Sequence, residues 1–249
     1  MTEMMWPEIL AMSLLSFFTA AFSGATGMGG GAIFLAGLTL PLSKAIPIHA
    51  VVQLMSNWQR VFFLRSYLRK DIFWPFILGC LISLFVAIWV RGKVTNEIIP
   101  YALVVLILSY NLFRPKKLPA IHLGKKGFFA LGFMAGFLGV VIGLVGPLLG
   151  PFFLRDDMSA PEIVANKSFA QSFVHICKVP AFFYFGFNYL DYAIPIASFL
   201  VFGLFGTWVG VKLLHRIKRD TFYKVYKVLL FVVTIKVAYS LYLLIEASL

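Results

Sequence analysis

The sequence predicts an all-α, polytopic integral membrane protein. Of its 249 residues, 61% are hydrophobic and only 13% are charged, and the mean hydropathy is +0.90. Soluble domains carry about 25% charged residues, because their surfaces must be solvated by water. A chain this apolar is therefore expected in lipid. Apolar runs approaching about 20 residues, the length that spans a bilayer as a helix, recur along it.

Eight long apolar segments predict spanning helices. They run from about 7–25, 48–64, 72–90, 98–113, 128–144, 163–184, 192–214 and 222–245. The N-terminus has acidic residues and no basic region, so the first segment is expected to remain as a helix and not to be a cleaved signal peptide. Two shorter apolar stretches, 28–42 and 145–154, each follow a glycine-rich sequence and predict half-helices or re-entrant segments.

The glycine-rich interruptions indicate an internal repeat. The sequence Gly-Ala-Thr-Gly-Met-Gly-Gly at 24–30 aligns with Gly-Val-Val-Ile-Gly-Leu-Val-Gly at 139–146, with a one-residue insertion. Each is followed by an apolar stretch, a polar turn, a helix with embedded polar residues and two plain apolar helices. We predict a single transmembrane domain over 1–249, with one repeat at about 1–114, a basic loop at about 114–126 and a second repeat at about 127–249.

Basic residues concentrate in three loops, which predicts that these loops are cytoplasmic. The loops are 65–70, 114–126 and 212–219, whereas the N-terminus and the turn at 185–191 lack Lys and Arg. Both termini of this multi-pass protein of the inner or plasma membrane are then external, and the two halves are inverted copies. Each half must cross the membrane an odd number of times. Whether the short segments cross or re-enter stays open.

The glycine-rich breaks predict a substrate-binding site. Irregular backbone persists at membrane depth only inside protein or around a watery cavity, because unpaired backbone groups are costly in lipid. A half-helix that begins there presents free N–H groups and a partial positive charge, which suit an anion. The candidates are Gly29, Gly30, Gly31 and Gly146. The alternative is that these glycines only allow helices to pack closely.

Polar residues on the helices after each break extend this candidate site. Gln53, Asn57 and Arg60 share one helix face, Ser168, Ser172 and His175 repeat their spacing, and Gln171 and Lys178 lie on an adjoining face. Lys167 and Asn166 are weaker candidates. The amides and hydroxyls would donate hydrogen bonds to an anion, and Arg60, Lys178 or protonated His175 would supply positive charge. Alternatively, the long basic side chains snorkel to the interface and the others tie helices together.

Several functional classes receive little support. The sequence has no nucleophile elbow, zinc-protease motif or nucleotide-binding loop, and its four histidines are scattered, so we expect neither an enzyme nor a cofactor. The basic residues lie in short loops, which disfavours nucleic acid as a partner. A cation or metal carrier would need acids at membrane depth, but the acidic residues fall at segment ends. A membrane scaffold protein stays open as an alternative, and so do proton or sodium coupling and a homodimer.

The glycine-rich break at 24–31, its second copy at 139–147 and the helices 50–64 and 165–179 resemble the sulfite exporter TauE/SafE family of membrane transporters. The resemblance covers nearly the whole chain. It implies an exporter or permease of a small anion such as sulfite, an organosulfonate or a related organic anion. Gln53 stands where the family tends to carry a hydroxyl residue, and the second break reads Gly-Leu-Val-Gly-Pro instead of a glycine triplet. These departures bear on the substrate and not on the fold.

Overall fold

A computed structural model of the protein describes residues 4–27, 29–91, 98–113, 123–143, 145–153, 155, 157–214, 216 and 219–248. Within these ranges the regular elements are all helices. Residues 114–122 of the predicted basic loop, and Met28 and Leu144 in the two breaks, lie outside them.

Eight long α-helices and two short ones are found in the described part of the chain. They are α1 (Trp6–Thr26), α2 (Gly30–Gly37), α3 (Leu42–Phe63), α4 (Phe73–Arg91), α5 (Ile98–Phe113), α6 (Lys125–Ile142), α7 (Gly146–Phe153), α8 (Ala160–Tyr184), α9 (Ala193–Leu214) and α10 (Arg219–Glu246). Each long apolar segment thus forms a helix. The two shorter stretches form the eight-residue helices α2 and α7.

The distribution of side chains is the reverse of that in a soluble domain. On α4, Trp74 and Phe85 are 77% and 73% exposed, whereas Arg60 on α3 and Lys167 on α8 are each 1% exposed. Soluble proteins almost never bury such charges while exposing large aromatic residues together. Among the described residues, Trp6–Thr26, Lys70–Val90 and Tyr189–Leu214 are long and apolar enough to cross a membrane by themselves. The protein is embedded in a membrane.

Small residues allow the main helix pairs to approach closely. Helix α1 packs along α9, where a side chain on Gly206 would overlap the carbonyl oxygen of Phe17. Helix α4 packs along α6, where one on Gly132 would overlap the carbonyl oxygen of Phe76. Apolar burial does not drive association within lipid, so close backbone contact of this kind stabilises helix pairs there.

The helix contacts follow the order of the two halves. By order in the chain, α1 to α5 of the first half correspond to α6 to α10 of the second. Helix α1 packs against α9, and their counterparts α6 and α4 also pack together. Likewise, α2 contacts α10, and their counterparts α7 and α5 are in contact. Helix α3 packs against α8, and α5 packs against α10, so each of these pairs maps onto itself. The helices that carry the buried charged residues Arg60, Lys167 and Lys178, α3 and α8, therefore meet each other from opposite halves.

We predict that Gly206→Ala destabilises the protein by about 1–3 kcal/mol, because the new methyl group must push α1 away from α9. Thermal unfolding in detergent measures the loss. Gly124→Ala is the control, since Gly124 has a φ of −78° and open space around its Cβ position. Equal stability of the two variants would contradict the close α1–α9 packing.

Candidate functional site

Glycines in left-handed conformation end the helices at both breaks. Helix α1 ends at Thr26 and is followed by Gly27 with a φ of 71°; Gly29, with a φ of 82°, comes directly before α2. Helix α6 ends at Ile142 and is followed by Gly143 with a φ of 87°. Glycine adopts these angles without a steric penalty because it has no Cβ. The chain therefore stops one helix and starts another within a few residues.

Two buried lysines of α8 bind the carbonyl groups at these breaks. The Nζ of Lys167 donates a hydrogen bond of 3.1 Å to the Gly27 oxygen, and the Nζ of Lys178 donates one of 2.9 Å to the Gly143 oxygen. The end of a helix exposes carbonyl groups and carries partial negative charge, which a cation stabilises. One helix thus supplies a polar partner to each of the two breaks.

A cavity of about 20 Å³ lies between the breaks. It is lined by residues from both halves: Ser23, Gly29, Gly31, Ala32, His49 and Gln53 from the first, and Val145, Gly146, Gln171 and His175 from the second. In its present shape the cavity has room for about one water molecule. Five of these ten residues have hydrogen-bonding side chains: Ser23, His49, Gln53, Gln171 and His175.

The two glutamines of the lining lie in corresponding places. A Cβ on Gly31 would lie 2.9 Å from the Oε1 of Gln53, and a Cβ on Gly146 would lie 3.1 Å from the Nε2 of Gln171. Each amide therefore approaches the backbone at the start of the short helix in its own half. The absence of a side chain on these glycines makes the approach possible.

Two histidines of the cavity lining, one from each half, are in contact with each other. The rings of His49 and His175 are 5.7 Å apart between centroids and meet edge to face. The Nε2 of His49 hydrogen bonds to the Gly31 carbonyl at 2.9 Å. The Nδ1 atoms of both histidines are buried and have no hydrogen-bond partner among the described residues. Buried polar atoms in this condition are uncommon and call for an explanation.

Positive charge surrounds this cavity without buried acids. Arg60 donates hydrogen bonds to the Oγ of Ser23, a lining residue, at 2.8 Å and to the carbonyl of Ser56 at 3.2 Å. Arg60 and Lys167 are both buried. No carboxylate whose side chain the structure describes is buried, and the described residues contain no group of His, Cys, Asp and Glu that would hold a metal ion. The buried charge in this region is therefore positive.

A family model described as sulfite exporter TauE/SafE matches residues 12–237. The chain belongs to the TauE/SafE family. Because this family consists of membrane transporters, the protein is a membrane transporter. No curated protein and no solved structure matches the chain.

Six of the twelve residues predicted from the sequence for the substrate-binding site line the cavity: Gly29, Gly31, Gln53, Gly146, Gln171 and His175. The other six are not part of the lining. Gly30 packs against Thr19 and Ser23 of α1, the Nδ2 of Asn57 donates to the Gln53 carbonyl, and Ser172 donates to the Ser168 carbonyl. Arg60 donates to the lining residue Ser23, Lys178 donates to the Gly143 carbonyl, and the buried Ser168 hydroxyl has no described partner. Their assignment to a binding site stays a prediction.

Four lining residues were not predicted from the sequence: Ser23, Ala32, Val145 and His49. Of these, His49 has the clearest sequence signal. It lies one helical turn before Gln53, on the same face, and the spacing of positions 49, 53, 57 and 60 recurs at 167, 171, 175 and 178. That second series contains Lys167, Gln171, His175 and Lys178. A search for four polar positions at this spacing in both halves would have found His49.

We predict that Gly143→Ala destabilises the protein for two separable reasons. A Cβ there would lie 2.9 to 3.0 Å from three side-chain atoms of Ile46, and the left-handed φ alone costs about 1–2 kcal/mol for alanine. Thermal unfolding should show a larger loss for Gly143→Ala in the natural chain than in an Ile46→Ala background, where only the backbone cost remains. A loss that is equal in both backgrounds would contradict the contact with Ile46.

Proposed function

We propose that this protein is a secondary transporter, an exporter or permease, of a small anion: sulfite, a sulfonate or a related organic anion. The site is the cavity between the two breaks near the middle of the bilayer. The observation that carries the proposal is the combination of hydrogen-bonding groups around this cavity with buried Arg60 and Lys167 and no buried carboxylate among the described side chains. Charged groups inside a membrane protein are costly and mark ion or substrate pathways.

The donor set suits an oxyanion. Helices α2 and α7 begin at Gly30 and Gly146, and the first N–H groups of a helix have no partner within it. The amides of Gln53 and Gln171 lie beside these helix starts. Backbone and amide N–H groups at the positive end of a helix bind the oxygens of sulfite, sulfonate or carboxylate groups well.

Alternating access follows from the proposed inverted repeats. The helix contacts that survive exchange of the two halves support a pseudo-two-fold relation, with the cavity between the halves. Rocking of one half against the other around such a site would open it to each side of the membrane in turn. In this scheme both termini are external and the basic loops are cytoplasmic.

The size of the cavity fits a closed form of this cycle. An opening for about one water molecule is too small for a sulfite ion, so substrate entry requires the lining to move apart. The chain carries no nucleotide-binding motif. The proposal therefore takes its driving force from an ion gradient or from the anion gradient itself.

We predict that Gln53→Ala weakens anion binding because it removes an amide donor from the lining. In wild-type protein, sulfite, methanesulfonate or acetate should raise the unfolding temperature in detergent, since a ligand that binds only the folded state stabilises it. Gln53→Ala should reduce this rise. Gln59→Ala is the matched control, because Gln59 lies on the same helix but does not line the cavity. Equal responses from the two variants would contradict the proposed site.

We predict that Arg60→Met separates a transporter from a scaffold protein. Arg60 is buried, its described hydrogen-bond partners are the uncharged Ser23 and Ser56, and it lies close enough to Lys167 for the two cations to repel. A buried charge without an opposite partner is costly, so we expect an apolar side chain of similar length at this position to be neutral or stabilising. The variant should unfold at the wild-type temperature or above it, but lose most of its response to anions. Strong destabilisation with an unchanged anion response would support the scaffold alternative.

A further inference from the structure

We infer that His49 and His175 form a proton site, and that one proton accompanies each anion through the cavity. This inference rests on the proposed anion transport and names its coupling ion. The geometry that carries it is the edge-to-face contact of the two imidazole rings, their position in the cavity lining and the unpartnered Nδ1 atoms on both.

The hydrogen bond of His49 determines which of its nitrogens is free. The Gly31 carbonyl can only accept, so the Nε2 of His49 carries the hydrogen of that bond. In the neutral ring the Nδ1 atom then holds a bare lone pair, which repels an anion. Protonation turns Nδ1 into an N–H donor with a positive charge, which an anion in the cavity would stabilise. Anion binding and protonation of this ring therefore favour each other.

The surrounding cations oppose protonation of the histidines while the cavity is empty. Lys178 of α8 interacts electrostatically with both histidines, Arg60 of α3 interacts with His175, and Lys167 of α8 lies next to Arg60. Helices α1, α2 and α7 add no titratable side chain to the described lining. A further positive charge among these cations is unfavourable until an anion arrives. By thermodynamic reciprocity, the proton then raises the affinity for the anion by the same factor.

The coupling has an electrical consequence. One monovalent anion and one proton carry no net charge together, so their joint transfer across the membrane requires no work against the membrane potential. An anion moving alone would experience about 2.3 kcal/mol per 100 mV. Transport of methanesulfonate should therefore depend on the pH gradient and not on the membrane potential.

Isothermal titration of wild-type protein with methanesulfonate tests the inference, because this anion keeps a single charge over the relevant pH range. Titrations in buffers with different ionisation heats count the protons taken up. We expect roughly one proton per anion at neutral pH, and affinity that falls up to about tenfold per pH unit between about pH 6 and pH 8. Binding without proton uptake would overturn the coupling and leave the anion site standing; absence of binding by any anion tested would overturn both.

Variants of the two rings complete the test. His49→Gln keeps an N–H donor for Gly31, and His175→Asn places at 175 the residue type found at 57, so both are designed to fold. The double variant should bind methanesulfonate more weakly, with no proton uptake and no pH dependence; persistent uptake would overturn the assignment. Asp157→Asn is the control. Hydrogen bonds from Arg155 and Arg69 lower the pKa of Asp157 to about 2, so this carboxylate stays ionised in the range used, and its removal should leave proton uptake unchanged.

Discussion

Hydrogen bonds from two lysines of one helix stabilise both interruptions of the helical backbone. Lys167 and Lys178 are 11 residues apart on α8, a rise of about 16 Å in an α-helix, and they bind the carbonyls of Gly27 and Gly143. Without such partners the ends of α1 and α6 would leave buried carbonyl groups unsatisfied, which lipid cannot compensate. The same lysines bring positive charge into the interior, so a structural requirement of the broken helices also produces an environment that attracts anions.

The second requirement is close helix packing without a hydrophobic driving force. Glycines along α1, α4, α6 and α9 allow the backbones of α1 and α9, and those of α4 and α6, to contact each other. Large aromatic residues of these helices are exposed on the outside. Helices α3 and α8 are thereby left to meet each other in the interior. They carry the polar side chains that an outer helix could not present to lipid. The cavity lies where these two helices face the short helices α2 and α7.

The sequence predicted the helices and both breaks because lipid imposes simple rules on length and polarity. Apolar runs of spanning length became helices, and glycine clusters became helix ends. The correspondence between the halves was harder to predict. The predicted alignment of the two halves matches Gln53 with Ser168, and an alternative alignment matches Gln53 with Gln171. The two alignments differ by three residues, which is slightly less than one helical turn. Both alignments therefore place polar residues on neighbouring faces. Gln53 approaches Gly31 and Gln171 approaches Gly146, which favours the pairing of Gln53 with Gln171. In that pairing the second half has two more residues between the end of the aligned glycine-rich sequence and the polar helix.

In the proposed transporter, both halves contribute to one anion site between the breaks. A structure determined with selenite, which matches the shape and charge of sulfite and gives an anomalous selenium signal, tests it most directly. We expect one selenium position per chain between Gln53 and Gln171, near His49 and His175, with the lining moved apart to admit it. A selenium position only at the protein surface, or separate positions at each break, would contradict a single shared site.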